Sequence, residues 1–439
     1  MLYYNYRRKE IGMKCSSVIG VLVFVMFSLA YPSPGFAEGP MVKPETVGFS
    51  SERLQRFGGV LQQEIERGSF PGAVVLIARN GKIVYYEAYG FLDANKTKPM
   101  PKDARFRIAS MTKPIVETAA MMMVEQGKFL LLDPISKYLP EFKNMMVEVK
   151  KADGSGYELV PAARPITIQD LMRHTSGFTY GSGLDASRAA IKDAYLKGRI
   201  EQIGGGISGD EMLKNLAKIP LVNQPGTTFE YSVSMDVMGL LLERVAGKPL
   251  DTLVNEMVLK PLKMNDTTFR LSRDKFPLVA DPLDADPLKR TDWWKSFPPF
   301  EDMTGRYLMA GSGLISTAAD YYRFSQMILN GGELDGVRLL SPKTVELMLS
   351  NHLQGMASSP APMTGPGYGF GLGFAVRLDT GMAVVPGSKG DANWSGAGGT
   401  TFTIDPKERI VGIFMAAAPT DRVAKRLLFK DLLYGAVVK

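Results

Sequence analysis

Ser110 and Lys113 stand three residues apart in Arg107-Ile108-Ala109-Ser110-Met111-Thr112-Lys113-Pro114. One helical turn brings residues i and i+3 onto the same face, so a helix opening here lets the lysine reach the serine hydroxyl. A lysine drawn partly out of water gives up its own proton more readily and can then take one from a hydroxyl, which turns a weak nucleophile into a strong one. The same spacing recurs in Ser272-Arg273-Asp274-Lys275. Context separates the two copies: Ser110 opens an apolar helix (Ile115, Val116, Ala119, Met122, Met123), whereas Ser272 lies in a charged stretch before Pro277. Other hydrolytic chemistries lack their parts. The two histidines, His174 and His352, share no metal-ligand spacing with each other or with an acid, so a metal site and a metal cofactor are not expected. No Gly-x-Ser-x-Gly elbow occurs, and Cys15 is the only cysteine.

Two later segments add to the pair. Pro225-Gly226-Thr227-Thr228-Phe229-Glu230-Tyr231-Ser232 leads into an apolar helix from Met238 to Val245, and Asn393-Trp394-Ser395-Gly396-Ala397-Gly398-Gly399-Thr400 leads into a strand. Ser110-x-x-Lys113, Tyr231-Ser232-Val233 and Trp394-Ser395-Gly396, in that order, resemble the three motifs of the serine β-lactamase and penicillin-binding-protein superfamily. The resemblance is nearest to the class C β-lactamase-like family VIII carboxylesterases. It extends over Leu171–Gly177, Gly311–Thr317 and Gly367–Gly371 and so over nearly all the chain after its leader.

The resemblance implies a nucleophile at Ser110, with Lys113 and Tyr231 handling its proton; which of the two takes it first stays open. It implies an oxyanion hole from the backbone N–H groups of Ser110 and Ala397, and substrate contacts from Trp394, Ser395 and Gly396. It implies a carboxylesterase on short- to medium-chain esters working through a Ser acyl-enzyme. A class C-type β-lactamase or DD-peptidase, an acyltransferase, and a penicillin-binding sensor without turnover are the alternatives. Two departures favour esters. Trp394 stands where β-lactamases and DD-peptidases place a lysine or histidine that holds a substrate carboxylate, and an indole cannot supply that charge. Val233 stands where an asparagine contacts a substrate amide. His174, in a turn-like His-Thr-Ser-Gly, reads as a structural residue, and the Gly367–Gly373 glycines as sheet packing. Trp293 and Trp294 read equally well as pocket lining or as a packed loop.

These residues need a frame. Leu54, Phe57, Leu61 and Ile65 give an amphipathic helix over residues 50–68, with Ser50 and Ser51 as candidate caps. Strand-like runs at 73–78 and 82–89 flank Asn80-Gly81, a strong hairpin signal. Further strands are expected at 371–378, 382–385, 400–404 and 409–416, then a closing helix over 421–438. The segment between, from about Ser110 to Gly311, reads as mostly helical, with Thr167 and Asp170 as a capping-box-like start. The expected class is α+β and β-lactamase/transpeptidase-like: an antiparallel sheet flanked by terminal helices, plus a helical subdomain. The sheet part is expected at about 45–108 and 311–439, and the helical part at about 109–310.

At the front, Arg7, Arg8, Lys9 and Lys14 precede an apolar run from Val18 to Tyr31 and a small-x-small end, Gly35-Phe36-Ala37. That pattern is a cleavable signal peptide over residues 1–37, preceding a hydrolase domain at 38–439, and it implies a secreted or periplasmic protein. The apolar run is short of the roughly 20 residues a membrane span needs, so no stable membrane anchor is expected. Met13 is an alternative start. The formal charge of +7 falls to about +4 without the leader, too little for a nucleic-acid protein. The expected partner is a small-molecule ester or β-lactam substrate.

Overall fold

The computed structural model describes residues 41–201, 206–295, 301–358 and 363–439. The expected leader lies outside the described residues. No helix among those described is long and apolar enough to cross a membrane.

Helix α1 (Ser51–Glu66) buries Leu54, Phe57, Leu61 and Ile65, and its N-cap Ser50 side chain accepts from the Arg53 N–H. Strands β1 (Gly72–Arg79) and β2 (Lys82–Gly90) follow. Their two-residue turn places Asn80 at φ 54° and Gly81 at φ 73°, the positive pair that a tight hairpin matched to strand twist requires. Then come α2 (Thr112–Glu125), a small hairpin of β3 (Met146–Lys150) and β4 (Tyr157–Pro161), α3 (Ile168–Met172), α4 (Ser234–Ala246) and α5 (Ala318–Leu329). Strands β5 (Tyr368–Phe370), β6 (Ala375–Arg377), β7 (Ala392–Ser395), β8 (Thr401–Asp405) and β9 (Ile410–Ala416) precede the closing helix α6 (Arg422–Gly435).

The main sheet has seven strands in the order β5-β6-β7-β8-β9-β1-β2, antiparallel throughout. The N-terminal hairpin joins the C-terminal meander through β1 and β9, with Ala73 opposite Ala416 and Arg79 opposite Ile410. Both faces of these strands are covered. Val75, Ile77 and Phe414 pack under Phe57, Leu61, Phe429 and Leu433 of the terminal helices. Val74, Leu76, Ile413 and Met415 join the larger core with Ile115 and Val116 of α2. That double burial explains why the strands read as unbroken apolar runs. This is the β-lactamase/transpeptidase-like α+β fold.

Three expectations of detail change. Residues 382–385 form no strand; Met382 and Val384 stand 65% and 68% exposed, and no strand among the described residues pairs with them. The run 371–378 is broken, because the chain reverses between β5 and β6 and puts Tyr368 opposite Arg377. The helical middle contains the β3–β4 hairpin, whose partly exposed, charge-bearing strands hide the two-residue period.

Candidate active site

Ser110 sits in a single 3-10 turn, Ala109–Met111, that runs directly into α2. Its neighbours pin that turn. The Ile108 N–H donates to Leu314 O at 3.1 Å, the Tyr321 hydroxyl donates to Met111 O at 2.9 Å, and the Leu314 N–H donates to the Thr112 hydroxyl at 3.1 Å. Ala109 is held at φ 43°, left-handed backbone that costs a non-glycine residue about 1 kcal/mol or more. Such strain survives only where the surroundings over-determine it.

Lys113 is fully buried. Its Nζ lies 3.2 Å from Ser110 Oγ, donates to Gly311 O at 2.8 Å, and stands 4.6 Å from the Tyr231 ring centroid. The Tyr231 hydroxyl is buried without a hydrogen-bond partner among the described residues. Its ring is caged by His174 at 4.6 Å, Trp394 at 5.4 Å and Tyr180 at 5.6 Å. Ser110, Tyr231 and Ala397 line one cleft of about 990 Å³, to which Tyr157 of β4 and Tyr180 also contribute. Neither the Ser110 nor the Ala397 N–H donates to a backbone carbonyl among the described residues. A Cβ on Gly396 would meet Ile108 O at 2.3 Å, so glycine there lets the turn after β7 that carries Ala397 close on the Ser110 turn.

Trp394, Ser395 and Gly396 are not among the cleft-lining residues. Strand alternation sends the Trp394 indole inward, 5% exposed, against Phe370 and Tyr231. The Ser395 hydroxyl is engaged by Thr401 at 2.8 Å. Val233 is buried in the core. Trp294 is also buried and carries Arg107 over its ring; the Trp293 side chain lies outside the described residues.

His174 takes a structural place. It adopts φ 55°, its Nδ1 accepts the Ser232 N–H at 3.3 Å, and its own carbonyl accepts the Glu230 N–H at 2.9 Å, so it fixes the turn bearing Tyr231. Burial, then the charge of Lys113, holds its imidazole well below the ordinary value, and it stays neutral.

Two buried acids escaped sequence reasoning. Glu117, one turn beyond Lys113, is fully buried with neither oxygen partnered among the described residues; burial pushes it well above the usual carboxylate range, with Lys113 opposing. An acid in an apolar helix was its only signal. Asp236 sits in the first turn of α4, where it resembles an ordinary helix-dipole acid, yet its Oδ1 accepts the Gly311 N–H at 3.0 Å. Burial pushes it up to about 6, against the Gly311 hydrogen bond and Lys113.

Because the folded state prefers Glu117 protonated, its contribution to stability is full below the ordinary value of 4.5 and is lost as pH rises through the raised one. The loss runs at about 1.4 kcal/mol per pH unit between the two values. Glu117→Gln is therefore expected to unfold at a temperature that gains on wild type as pH rises from 5 to 8. A gap that stays constant across thermal melts in that range would refute this reading.

On α6, Arg422 lines the cleft and has no carboxylate partner among the described residues. One turn on, Arg426 donates to Gly396 O; burial, and then the like charge of Arg422, lowers it to about 9.

The Beta-lactamase family model matches residues 57–434. The chain belongs to the β-lactamase family. It is a serine hydrolase with the superfamily's fold and with esterase relatives. Protein Rv1367c of Mycobacterium tuberculosis is 35% identical over 361 residues, 81% of this chain and 88% of that protein. Esterase EstB of Burkholderia gladioli is 31% identical over 370 residues, 80% of this chain and 86% of the esterase. The solved structure of EstCE1, described as a hydrolase with promiscuous acyltransferase activity, matches with a TM-score of 0.70 at 29% identity, covering 87% of this chain and 98% of its own.

Proposed function

We propose that this β-lactamase family member is a carboxylesterase for short- to medium-chain esters. Ser110 Oγ attacks the ester carbonyl and its proton passes to the Lys113–Tyr231 pair. The oxyanion rests on the Ser110 and Ala397 amides, donors of a kind that each contribute about 3 kcal/mol to a transition state. The alcohol leaves with the proton, and water repeats the sequence on the acyl-enzyme. The observation that carries the ester reading is Trp394: an uncharged indole, buried 5.4 Å from the Tyr231 ring, stands at the motif position where the resembled β-lactamases and DD-peptidases carry the cation that holds a carboxylate-bearing drug or peptide. Resemblance to EstB supports it. The leader pattern at residues 1–37 supports a secreted or periplasmic site of action.

A second reading, β-lactam hydrolysis, is favoured by Arg422, a cleft guanidinium with no carboxylate partner among the described residues. One experiment ranks the two. With p-nitrophenyl esters of graded chain length beside a penicillin and a chromogenic cephalosporin, the best short-chain ester is expected to exceed the penicillin in kcat/KM at least about tenfold. That is the lower end of what a charge-assisted pair of roughly 1.5–3 kcal/mol is worth. Arg422→Gln is expected to reduce residual penicillin turnover about tenfold while leaving neutral esters within about threefold. A penicillin preferred over every ester overturns the esterase reading.

A further inference from the structure

Gly311 is clamped between a buried acid and a buried cation. Its N–H donates to Asp236 Oδ1 at 3.0 Å and its carbonyl accepts from Lys113 Nζ at 2.8 Å. A Cβ built on it would lie 3.2 Å and 3.3 Å from the two Asp236 oxygens and 3.3 Å from Lys113 Nζ. The carboxylate and the ammonium thus meet across one residue, and a side chain there would push each of them back by a few tenths of an ångström. Asp236 is 0% exposed, and its second oxygen has no hydrogen-bond partner among the described residues. A burial this complete leaves a charged acid dependent on the nearby cation.

We infer that Asp236 is a positioning residue: it holds Lys113 as the ammonium of the pair, so that Tyr231, as the phenolate this ammonium balances, takes the Ser110 proton. Lys113 already acts as a donor to Gly311 O, and its Nζ stands over the face of the Tyr231 ring, where a cation is favourable. A neutral His174, its ring 4.6 Å from that of Tyr231, brings no competing charge. The groups whose charge acts on Asp236 are Lys113 of α2 and Glu201, and Asp236 acts in turn on Tyr180 and Tyr307. Glu117, the second acid that Lys113 acts on, is held protonated by burial and does not replace Asp236.

The inference rests on Ser110 being the nucleophile, so the assay reads that hydroxyl directly and needs no natural substrate: the rate at which a p-nitrophenyl phosphonate labels the protein, followed from pH 5 to 9, with Ser110→Ala as control. Labelling that survives Ser110→Ala removes the nucleophile assignment itself. With that control silent, Asp236→Asn is expected to slow labelling at least tenfold at pH 7.5 and to displace the acid limb of the profile, which in wild type rises near pH 6 as Asp236 ionises. Gly311→Ala, which wedges a methyl between the two charged groups, is expected to displace the same limb and serves if Asp236→Asn fails to fold. A labelling rate within twofold of wild type, or a slower rate with the acid limb unmoved, overturns the inference.

Discussion

Ser110→Ala is expected to lower kcat/KM by at least about 10⁴-fold, the scale on which removal of a nucleophile reduces a hydrolase to its binding and oxyanion contributions. Ser272→Ala is expected to change it by less than about twofold. The two serines share a sequence motif and differ in everything the fold adds. Ser110 has a fully buried lysine 3.2 Å away and a free-standing backbone amide at a cleft. Ser272 is exposed at the start of a 3-10 turn, and Lys275 turns instead to Asp266 at 3.3 Å with its side chain 41% exposed. Steady-state rates on a p-nitrophenyl ester, with peptide mapping of a serine-directed phosphonate adduct, read both variants. Activity retained in Ser110→Ala, or equal loss in both, sinks the assignment.

Local signals carried most of the frame. The stripe of Leu54, Phe57, Leu61 and Ile65, the Asn80-Gly81 turn, and the Thr167–Asp170 capping box each act within a few residues, and each appears in the structure where the sequence put it. The Ser110–Lys113 spacing is of the same kind. Contacts that depend on the long-range fold were not legible. Nothing near Asp236 announces Gly311, 75 residues further on. Nothing near Trp394 tells which face of β7 looks at the cleft, because that follows from pairing with β6 and β8. The β3–β4 hairpin was missed because strands that bury little show little pattern, yet it contributes Tyr157 to the cleft wall.

Replacing either proton-handling partner should separate its chemistry from its packing. Tyr231→Phe is expected to lower kcat/KM by roughly 10²- to 10⁴-fold, the usual range for a general base. The fold should tolerate it: the phenyl ring fills the same cage of His174, Tyr180 and Trp394, and the lost hydroxyl has no hydrogen-bond partner among the described residues to leave stranded. Lys113→Met is expected to lose at least about 10³-fold and to lose stability as well, because it leaves the buried Asp236 carboxylate without its cation. That destabilisation has a sign in pH. Asp236 is neutral below about 6 and charged above it, so the melting temperature of Lys113→Met should fall increasingly behind wild type as pH rises from 5 to 8. Lys113→Arg should not restore the rate, since a planar guanidinium does not fit the point contacts that the ammonium makes with Ser110 Oγ and Gly311 O. Melting curves and ester kinetics on the three variants over that range decide the matter. A Tyr231→Phe enzyme with near wild-type turnover would move the proton transfer to Lys113 alone and leave Tyr231 as a wall of the cleft.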